Sequence, residues 1–335
     1  QHRSPAIPPD QELLPNGAFY STGNTIAERR HYYHTKVKKI LTLQPGKGTF
    51  KPTCRHYVPF LLHHYIRPSK VFIIHPRHLP LRLTIHLLHP DGTRNGTVTH
   101  VNISSAKDND VLLQALNNFA SSVLPNCRNK SGTPRQAEQV GEMTTFGMTE
   151  CSNNFTRPYA SIKSRLQKHY LLLMIIEYAA FLRLHRPSLL QAMQQKEKDN
   201  HVIIPEYMGG VDGVTSVGVV STDLANEPHT DVNDDGQSVS IWHESHPGSA
   251  TNWFFMMPEL ILSVHGISYE GVAVELFHGI CIDWDGLVTR HNTTVTLLSP
   301  GKHAHGTFFS ANKKTNHGYN GHHNQQLQTQ WLATL

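Results

Sequence analysis

The sequence has few cysteines and no apolar run long enough to cross a bilayer. Its four cysteines, among 335 residues, are scattered singly and form no Cys-x-x-Cys pair. That pattern argues against a disulfide framework or a zinc ribbon and favours a reducing, intracellular compartment. The longest apolar run, residues 171–182, is interrupted by Glu177 and is typical of a buried helix. We therefore expect no contact with a membrane.

Several widespread catalytic motifs are also missing. The chain has no P-loop, no glycine-rich dinucleotide turn and no Gly-x-Ser-x-Gly elbow. The histidines of His243-Glu-Ser-His246 are three residues apart, which excludes the zinc-protease motif with its spacing of four. Asp231-x-Asn233-x-Asp235-Gly resembles the start of a calcium loop, but the twelfth position holds Trp242 where that loop needs a glutamate.

Charge is distributed unevenly along the chain. Hydrophobic residues make up 38% and charged residues 16%, a balance that indicates a globular protein. Residues 1–100 hold 14 Lys and Arg against 4 Asp and Glu, whereas the rest of the chain is mildly acidic. The basic part is compatible with an anionic partner such as DNA, and then with a nuclear location, or with a solvated arm that has no partner. The sequence does not indicate an oligomeric state.

Local patterns predict the organisation of the chain. Alternating apolar residues at 81–87 predict a strand, and an apolar face between residues 111 and 123 predicts a helix. Residues 125–158 have the polar composition of a loop, and a second helix is expected from about residue 162 to residue 185, ending before Pro187. After residue 203, about eight short β-rich segments follow, which favour a sandwich or a barrel.

These patterns suggest three parts. We expect a basic N-terminal α+β region over residues 1–105, a core of supporting helices and strands over 106–315, and a loose tail over 316–335.

A candidate metal site lies within the strand-rich part. His229 and Asp231 are two residues apart, so on a strand both side chains would point to the same face. His291 follows 62 residues later, after an Asp-Gly turn. Two histidines and one carboxylate can hold Fe(II) on one face and leave open positions on the other. The alternative is that these three residues are ordinary polar residues of turns and strands.

A His-x-Asp pair alone is weak evidence. With 25 histidines in the chain, about one such pair is expected by chance, and His89-Pro-Asp91 is a second example. Pro90 cannot donate to a β-ladder, and Pro-Asp-Gly is typical of a turn, so we interpret that pair as a hairpin tip.

From about residue 214 to residue 310 the sequence resembles Fe(II)/2-oxoglutarate dioxygenases. It is most similar to the branch of TET methylcytosine oxidases and base-J-binding-protein hydroxylases, with algal and fungal relatives. The resemblance rests on His229-Thr-Asp231 and the Asp-Asp-Gly236 that follows, on the strands ending at Trp242 and at Pro258, and on His291. It implies an α+β protein whose core is a double-stranded β-helix, or jelly roll, with His229, Asp231 and His291 as iron ligands.

The resemblance also implies roles for other residues. Asn233, Asp234 and Asp235 follow the metal motif and would face a substrate base, and Trp242 is assigned to the same side. A carboxylate there could accept a hydrogen bond from the exocyclic amine of cytosine.

The family usually holds the far carboxylate of 2-oxoglutarate with a cation on the last strand. The chain has no arginine after Arg290, so Lys302 and Arg290 are the candidates for that role. Ascorbate, which an algal relative uses, is the alternative co-substrate.

Three functions follow from this interpretation: oxidation of a modified nucleic-acid base such as 5-methylcytosine, hydroxylation of a protein side chain or small molecule, and a jelly-roll binding module without catalysis.

Overall fold

The structure is a computed structural model. It describes residues 11–13, 19–21, 71–75, 84–88, 94–100, 107–123, 140–150, 156–158, 162–200, 202, 204–226, 229–231, 233–251, 253–257, 262–264, 267–269, 272–294 and 296–312. Most of the basic residues 1–100, the predicted hairpin tip at residues 89–91 and the tail from residue 316 lie outside these ranges.

The described residues form three α-helices, two short 3-10 helices and eighteen strands. The α-helices are α1 (Lys107–Val123), α2 (Arg165–His185) and α3 (Pro187–Asp199), and the 3-10 helices span Glu206–Met208 and Gly210–Asp212. The strands are β1 (Gln11–Leu13), β2 (Phe19–Ser21), β3 (Phe72–Ile74), β4 (Thr84–Leu88), β5 (Arg94–His100), β6 (Val140–Glu150), β7 (Thr156–Pro158), β8 (Val217–Ala225), β9 (Asp234–Glu244), β10 (Ala250–Thr251), β11 (Phe254–Met257), β12 (Leu262–Val264), β13 (Ile267–Tyr269), β14 (Val272–Glu275), β15 (Ile280–Asp285), β16 (Asn292–Thr293), β17 (Leu297–Leu298) and β18 (Ala304–Asn312).

Two sheets carry the fold. The large sheet has eight strands in the order β4-β5-β15-β9-β18-β8-β6-β7, and the small sheet has four in the order β16-β11-β14-β3. Within the large sheet every neighbouring pair is antiparallel, and in the small sheet β3 runs parallel to β14. Strands β3, β4 and β5 come from the predicted N-terminal region, and they belong to the same two sheets as the C-terminal strands.

The two faces of the large sheet have different neighbours. One face packs on the three α-helices, in a core that includes Tyr178, Ile241 and Phe309. The other face packs on the small sheet, in a second core that includes Trp242 and Trp284. The described residues therefore form a layer of helices, a large sheet and a small sheet, a mixed α+β architecture in which no closed barrel is seen.

Helix boundaries follow from local chemistry. Ser164 caps α2 in a capping box, because its hydroxyl accepts a hydrogen bond from the Gln167 amide while the Gln167 side chain accepts one from the Ser164 amide. As predicted, α2 ends before Pro187. The proline then becomes the first residue of α3, a position where its missing N–H costs nothing.

Two expectations about local structure are wrong. The stretch at 125–158 that we interpreted as a loop contains the eleven-residue strand β6, which pairs with β8. Threonines and a glycine hid its pattern, and Gly147 is needed there because a Cβ would lie 2.1 Å from the Ser216 carbonyl oxygen. The second wrong expectation is a strand at residues 288–291, one of the β-rich segments predicted after residue 203. Residues 288–290 form a turn and a bend after β15, and His291 follows in an isolated bridge.

Candidate metal site

Two loop-like segments at the rim of the sheets, residues 229–231 and 286–291, bring the predicted triad together. His229 and His291 form an isolated antiparallel bridge, in which each backbone N–H donates to the carbonyl of the other residue at 2.9 Å. The Asp231 N–H donates to the carbonyl of Gly286 at 2.8 Å. Residues 62 positions apart in sequence are thus fixed by backbone hydrogen bonds, and their side chains converge.

The geometry of the triad fits a metal ion. Asp231 Oδ1 lies 3.4 Å from His229 Nε2, and its Oδ2 lies 3.2 Å from His291 Nε2. One ligand atom from each residue lies within 4.8 Å of the other two. Adjacent ligands about 2.1 Å from one ion are separated by about 3 Å, so the spacing is close to that of two histidines and a carboxylate on one face of Fe(II).

Hydrogen bonding prepares His291 for this role. Its Nδ1 lies 2.9 Å from the Thr289 carbonyl oxygen, which can only accept, so Nδ1 carries the proton and Nε2 keeps its lone pair. In the neutral imidazole that lone pair faces an Asp231 oxygen at 3.2 Å, which is an unfavourable contact between two acceptors. A cation between the two atoms would turn this repulsion into coordination.

Electrostatics keep the carboxylate of Asp231 ionised. Burial alone would raise its pKa. When the two imidazoles are protonated, the hydrogen bonds that His229 and His291 then donate, together with their positive charge, outweigh burial and hold the pKa well below its ordinary value, and a bound cation would act in the same direction. The side chains of His229, Asp231 and His291 are 37%, 29% and 6% exposed, so the site is buried on the His291 side and open on the His229 side.

Aromatic packing explains why His291 is the buried ligand. Its ring lies 5.1 Å from the ring of Trp284 and 5.4 Å from that of Phe255, one from each sheet. Asn226 links the segment that carries His229 to the segment that carries His291. Its side-chain oxygen accepts a hydrogen bond from the Thr293 N–H at 2.8 Å, and its amide nitrogen lies 3.4 Å from His229 Nδ1.

A second carboxyl group lies behind the triad. Asp234 is buried, and Ser238 and Ser310 both donate to its carboxyl group. Burial and the negative charge of Asp231 raise its pKa to about 7, against the opposing effect of the two serine hydrogen bonds. Gly286 makes room for this arrangement, because a Cβ there would lie 2.8 Å from Asp234 Oδ2 and 3.3 Å from Asp231 Oδ2.

The other predicted substrate residues have different surroundings. Asn233 is half-buried in the turn between Asp231 and β9. Asp235 accepts a hydrogen bond from Lys196 Nζ of α3 at 3.0 Å. Trp242 is buried in the core between the sheets, with its ring 5.3 Å from that of Phe255. The structure therefore leaves Asn233 and Asp235 near the rim and places Asp234 and Trp242 in the interior. Their roles toward a substrate stay predictions.

Lys302 and Arg290, the candidates for binding the far carboxylate of 2-oxoglutarate, are placed less favourably. Lys302 precedes β18, and Ser310 on that strand is the residue linked to the triad through Asp234. Eight residues of strand span about 26 Å, longer than a lysine side chain, so the structure does not bring Lys302 to the triad. Arg290 is adjacent to His291 and half-buried. Strand β18, Ala304–Asn312, has no lysine or arginine of its own.

Several residues of the site could not be found from the sequence. Gly286 and Thr289 act through backbone atoms or through the space they leave, which no side-chain motif reveals. Asn226 acts through its side chain, but its partner Thr293 is 67 residues away in sequence. Lys196 is distant in sequence and lies on a helix that the sequence did not predict. The one usable signal was the Asp-Gly dipeptide at 285–286, which marked a turn next to the distal histidine.

Comparisons with known proteins give fold likenesses only. A scan of family models and a search of curated proteins found no match. Among solved structures, NgTET1 in complex with 5mC DNA matches at 11% identity, with 78% of this chain and 91% of that chain covered and a TM-score of 0.46. An oxidoreductase of the 2OG-Fe(II) oxygenase family from Burkholderia pseudomallei matches at 12% identity, with 51% and 69% covered and a TM-score of 0.28.

A prolyl hydroxylase from Trichoplax adhaerens, in complex with a hypoxia-inducible-factor peptide, is also similar, at 10% identity with 66% and 86% covered and a TM-score of 0.33. Because the identities are low and the TM-scores are below 0.5, the proposal below rests on the geometry of the triad. None of the described helices combines the length and apolarity that a membrane span requires.

Proposed function

We propose that the chain is a non-haem Fe(II)- and 2-oxoglutarate-dependent dioxygenase with a jelly-roll core. The observation that carries this proposal is the convergence of His229, Asp231 and His291, with one ligand atom each within 4.8 Å of the others. A bound iron ion would supply oxygen activation. The chain itself orients His291 through Thr289, keeps Asp231 ionised and excludes water from the His291 side with Trp284 and Phe255.

We propose a modified nucleic-acid base, such as 5-methylcytosine in DNA, as the substrate. The supporting features are the resemblance to TET-like enzymes and the excess of cations in residues 1–100, which would contact phosphates. Arg290, adjacent to the ligand His291, adds a cation on the segment that carries the triad. A nuclear location would follow from this substrate. Hydroxylation of a protein side chain or a small molecule is the second candidate, and a module without catalysis is the third.

The test combines iron binding with co-substrate and substrate trials. We expect one Fe(II) per chain under anaerobic conditions, and oxygen uptake that depends on 2-oxoglutarate or on ascorbate, which are tried separately. A methylated DNA duplex should yield an oxidised base detectable by mass spectrometry. The yield should fall at higher salt concentration, because salt weakens contacts between basic side chains and phosphates. Proline-containing peptides are the control substrates.

Three outcomes separate the candidates. Oxidised base from wild type, and none from His229→Ala, supports base oxidation. Turnover of peptide but not of DNA supports the second candidate. Stoichiometric iron without oxygen uptake on either co-substrate supports the binding module.

A further inference from the structure

One exposed apolar side chain lies next to the triad. Seven large apolar side chains are exposed among the described residues, and six of them belong to helical segments: Val111, Leu166, Leu173, Ile176, Leu184 and Val211. The seventh, Val288, is 60% exposed and lies in the turn between β15 and His291. Single exposed apolar residues are common on protein surfaces, so exposure alone assigns no role. The position of Val288 does, because its turn leads directly into a metal ligand.

Hydrogen bonds hold the turn around Val288 in one conformation. The Asp285 carboxylate accepts hydrogen bonds from the N–H groups of Leu287 at 3.1 Å and of Val288 at 3.3 Å. The Asp285 carbonyl accepts a third, from the Thr289 N–H at 2.9 Å. Three successive N–H groups therefore have one residue as their acceptor. Because valine is branched at Cβ and stiff about its first side-chain torsion, its exposed methyl groups are presented with little conformational freedom.

Both ends of the turn are bonded to ligands of the triad. The Gly286 carbonyl accepts a hydrogen bond from the Asp231 N–H at 2.8 Å, and the Thr289 carbonyl accepts one from His291 Nδ1 at 2.9 Å. Three residues of chain span at most about 11 Å, so Val288 lies within that distance of His291. The structure thus holds a rigid apolar side chain at the rim of a site that is open to solvent.

The proposed substrate gives such a side chain a task. An enzyme that acts on a base in a duplex must move that base out of the stack, which costs stacking and pairing energy. Proteins that open a base step frequently insert an apolar side chain into it. Arg290, two residues after Val288, adds a positive charge that favours the approach of phosphates. A peptide or a small molecule has no base stack for Val288 to enter.

We propose that Val288 enters the base stack of a DNA duplex and fills the gap that the target base leaves. This inference rests on the proposed oxidation of a nucleic-acid base. Val288 contacts the substrate but takes no part in the chemistry at the metal. Its contribution is needed when the target base is stacked and paired, and it is not needed when the base is already unpaired.

The ratio of activities on paired and unpaired targets tests this role. We would measure kcat/KM with 2-oxoglutarate for a methylated duplex and for the same methylated strand alone, in wild type, Val288→Ala and Val288→Leu. The ratio of duplex to single-strand kcat/KM should fall about tenfold in Val288→Ala, because the gap in the stack is no longer filled. Val288→Leu should keep the ratio close to that of wild type, since leucine also inserts between bases.

A matched control is available on the helix side of the molecule. Val111 of α1 is a valine of comparable exposure, 52%, and Val111→Ala should keep the wild-type ratio. A mismatch opposite the target base should restore most of the activity that Val288→Ala loses on the duplex, because a mismatched base is more easily unstacked. Iron stoichiometry and circular dichroism verify that each variant is folded and holds its metal.

The outcomes separate this inference from the proposed function. An unchanged ratio in Val288→Ala, or an equal loss on duplex and single strand, would overturn the role of Val288 and leave base oxidation in place. A mismatch that restores nothing would also contradict the insertion. A wild type that oxidises neither form of the DNA would overturn the proposed function and this inference together.

Discussion

Two carboxylates on opposite faces of the large sheet, one buried and one half-buried, have different partners. On the helix side, Asp283 is 1% exposed and its carboxylate lies 2.6 Å from the guanidinium of Arg186, which is 8% exposed. On the side of the small sheet, Asp231 is shared by two imidazoles and stays partly open to solvent. The guanidinium of Arg186 is itself the cation that neutralises Asp283, so that pair needs no further ion. Two neutral imidazoles and the Asp231 carboxylate carry a net negative charge and can bind a metal cation. The first arrangement holds the fold together, and the second can hold a metal.

The largest effect on stability should come from breaking the buried ion pair between Arg186 and Asp283. Arg186→Met leaves the Asp283 charge buried without its ion-pair partner and should lower the free energy of unfolding by about 3–5 kcal/mol. Urea denaturation measures this value. Arg183→Met is the control, because Arg183 contacts Asp212 only at 3.8 Å on the surface and should cost less than about 1 kcal/mol. An equal loss in both variants would refute a special role for the buried pair.

The next effect concerns the space behind the triad. Gly286→Ala places a methyl group against Asp234 and Asp231, so the two carboxyl groups must move apart. We expect the iron affinity to fall about 10- to 100-fold, the range found when residues that support metal ligands are changed. Calorimetric titration with Fe(II) measures it. Gly248→Ala is the control for backbone strain, since Gly248 has a φ of +79° and nothing within 4 Å. Unchanged affinity in Gly286→Ala would contradict this account.

A pH effect should come from the helix side. Burial, then the nearby His303, lowers the pKa of His305 from 6.5 to about 4, against an opposing hydrogen bond to the Ser221 backbone. Between those values the unfolded chain binds more protons than the folded one. Above pH 6.5, His305 is neutral in both states and does not lower the free energy of unfolding. As the pH falls from 6.5 to 4, its protonation in the unfolded chain lowers the free energy of unfolding progressively, and below pH 4 the loss levels off.

In metal-free protein, the unfolding free energy of wild type should decrease relative to that of His305→Gln by about 3 kcal/mol from pH 7 to pH 4. Parallel curves for the two proteins would contradict the prediction.

The smallest effect should come from Asn226→Ala. The change removes one hydrogen bond to the Thr293 N–H, worth about 1 kcal/mol net, and so should weaken iron binding about fivefold. Asn226→Asp keeps an acceptor at that position and should bind iron more tightly than the alanine variant. Equal affinities in the two variants would show that the side-chain acceptor is irrelevant.

The sequence predicted the parts of this comparison that depend on periodicity. His229 and Asp231 could be paired because their spacing puts two side chains on one face, and His291 could be added because it follows a recognisable turn. The helix ending before Pro187 and most of the strands after residue 203 were predicted for the same reason. Strand β6 was missed because Thr144, Thr145 and Gly147 carry no alternating signal.

Partners chosen by tertiary packing were beyond the sequence. Nothing local pairs Arg186 with Asp283. The burial of Asp234 follows from serines on two neighbouring strands, and Trp242 is interior because the small sheet covers it. The same limit affected the prediction of the cation that would bind 2-oxoglutarate. Lys302 follows His291 at a suitable separation in sequence, but it lies at the end of β18 that is distant from the triad.

The measurement that tests the central claim most directly is anaerobic Fe(II) titration of wild type, Asp231→Ala and Asp283→Asn. The account predicts one iron per chain in wild type and in folded Asp283→Asn, and none in Asp231→Ala, whose fold should persist. Loss of iron in both variants, or its retention in Asp231→Ala, would contradict the assignment of a metal site to one face of the sheet.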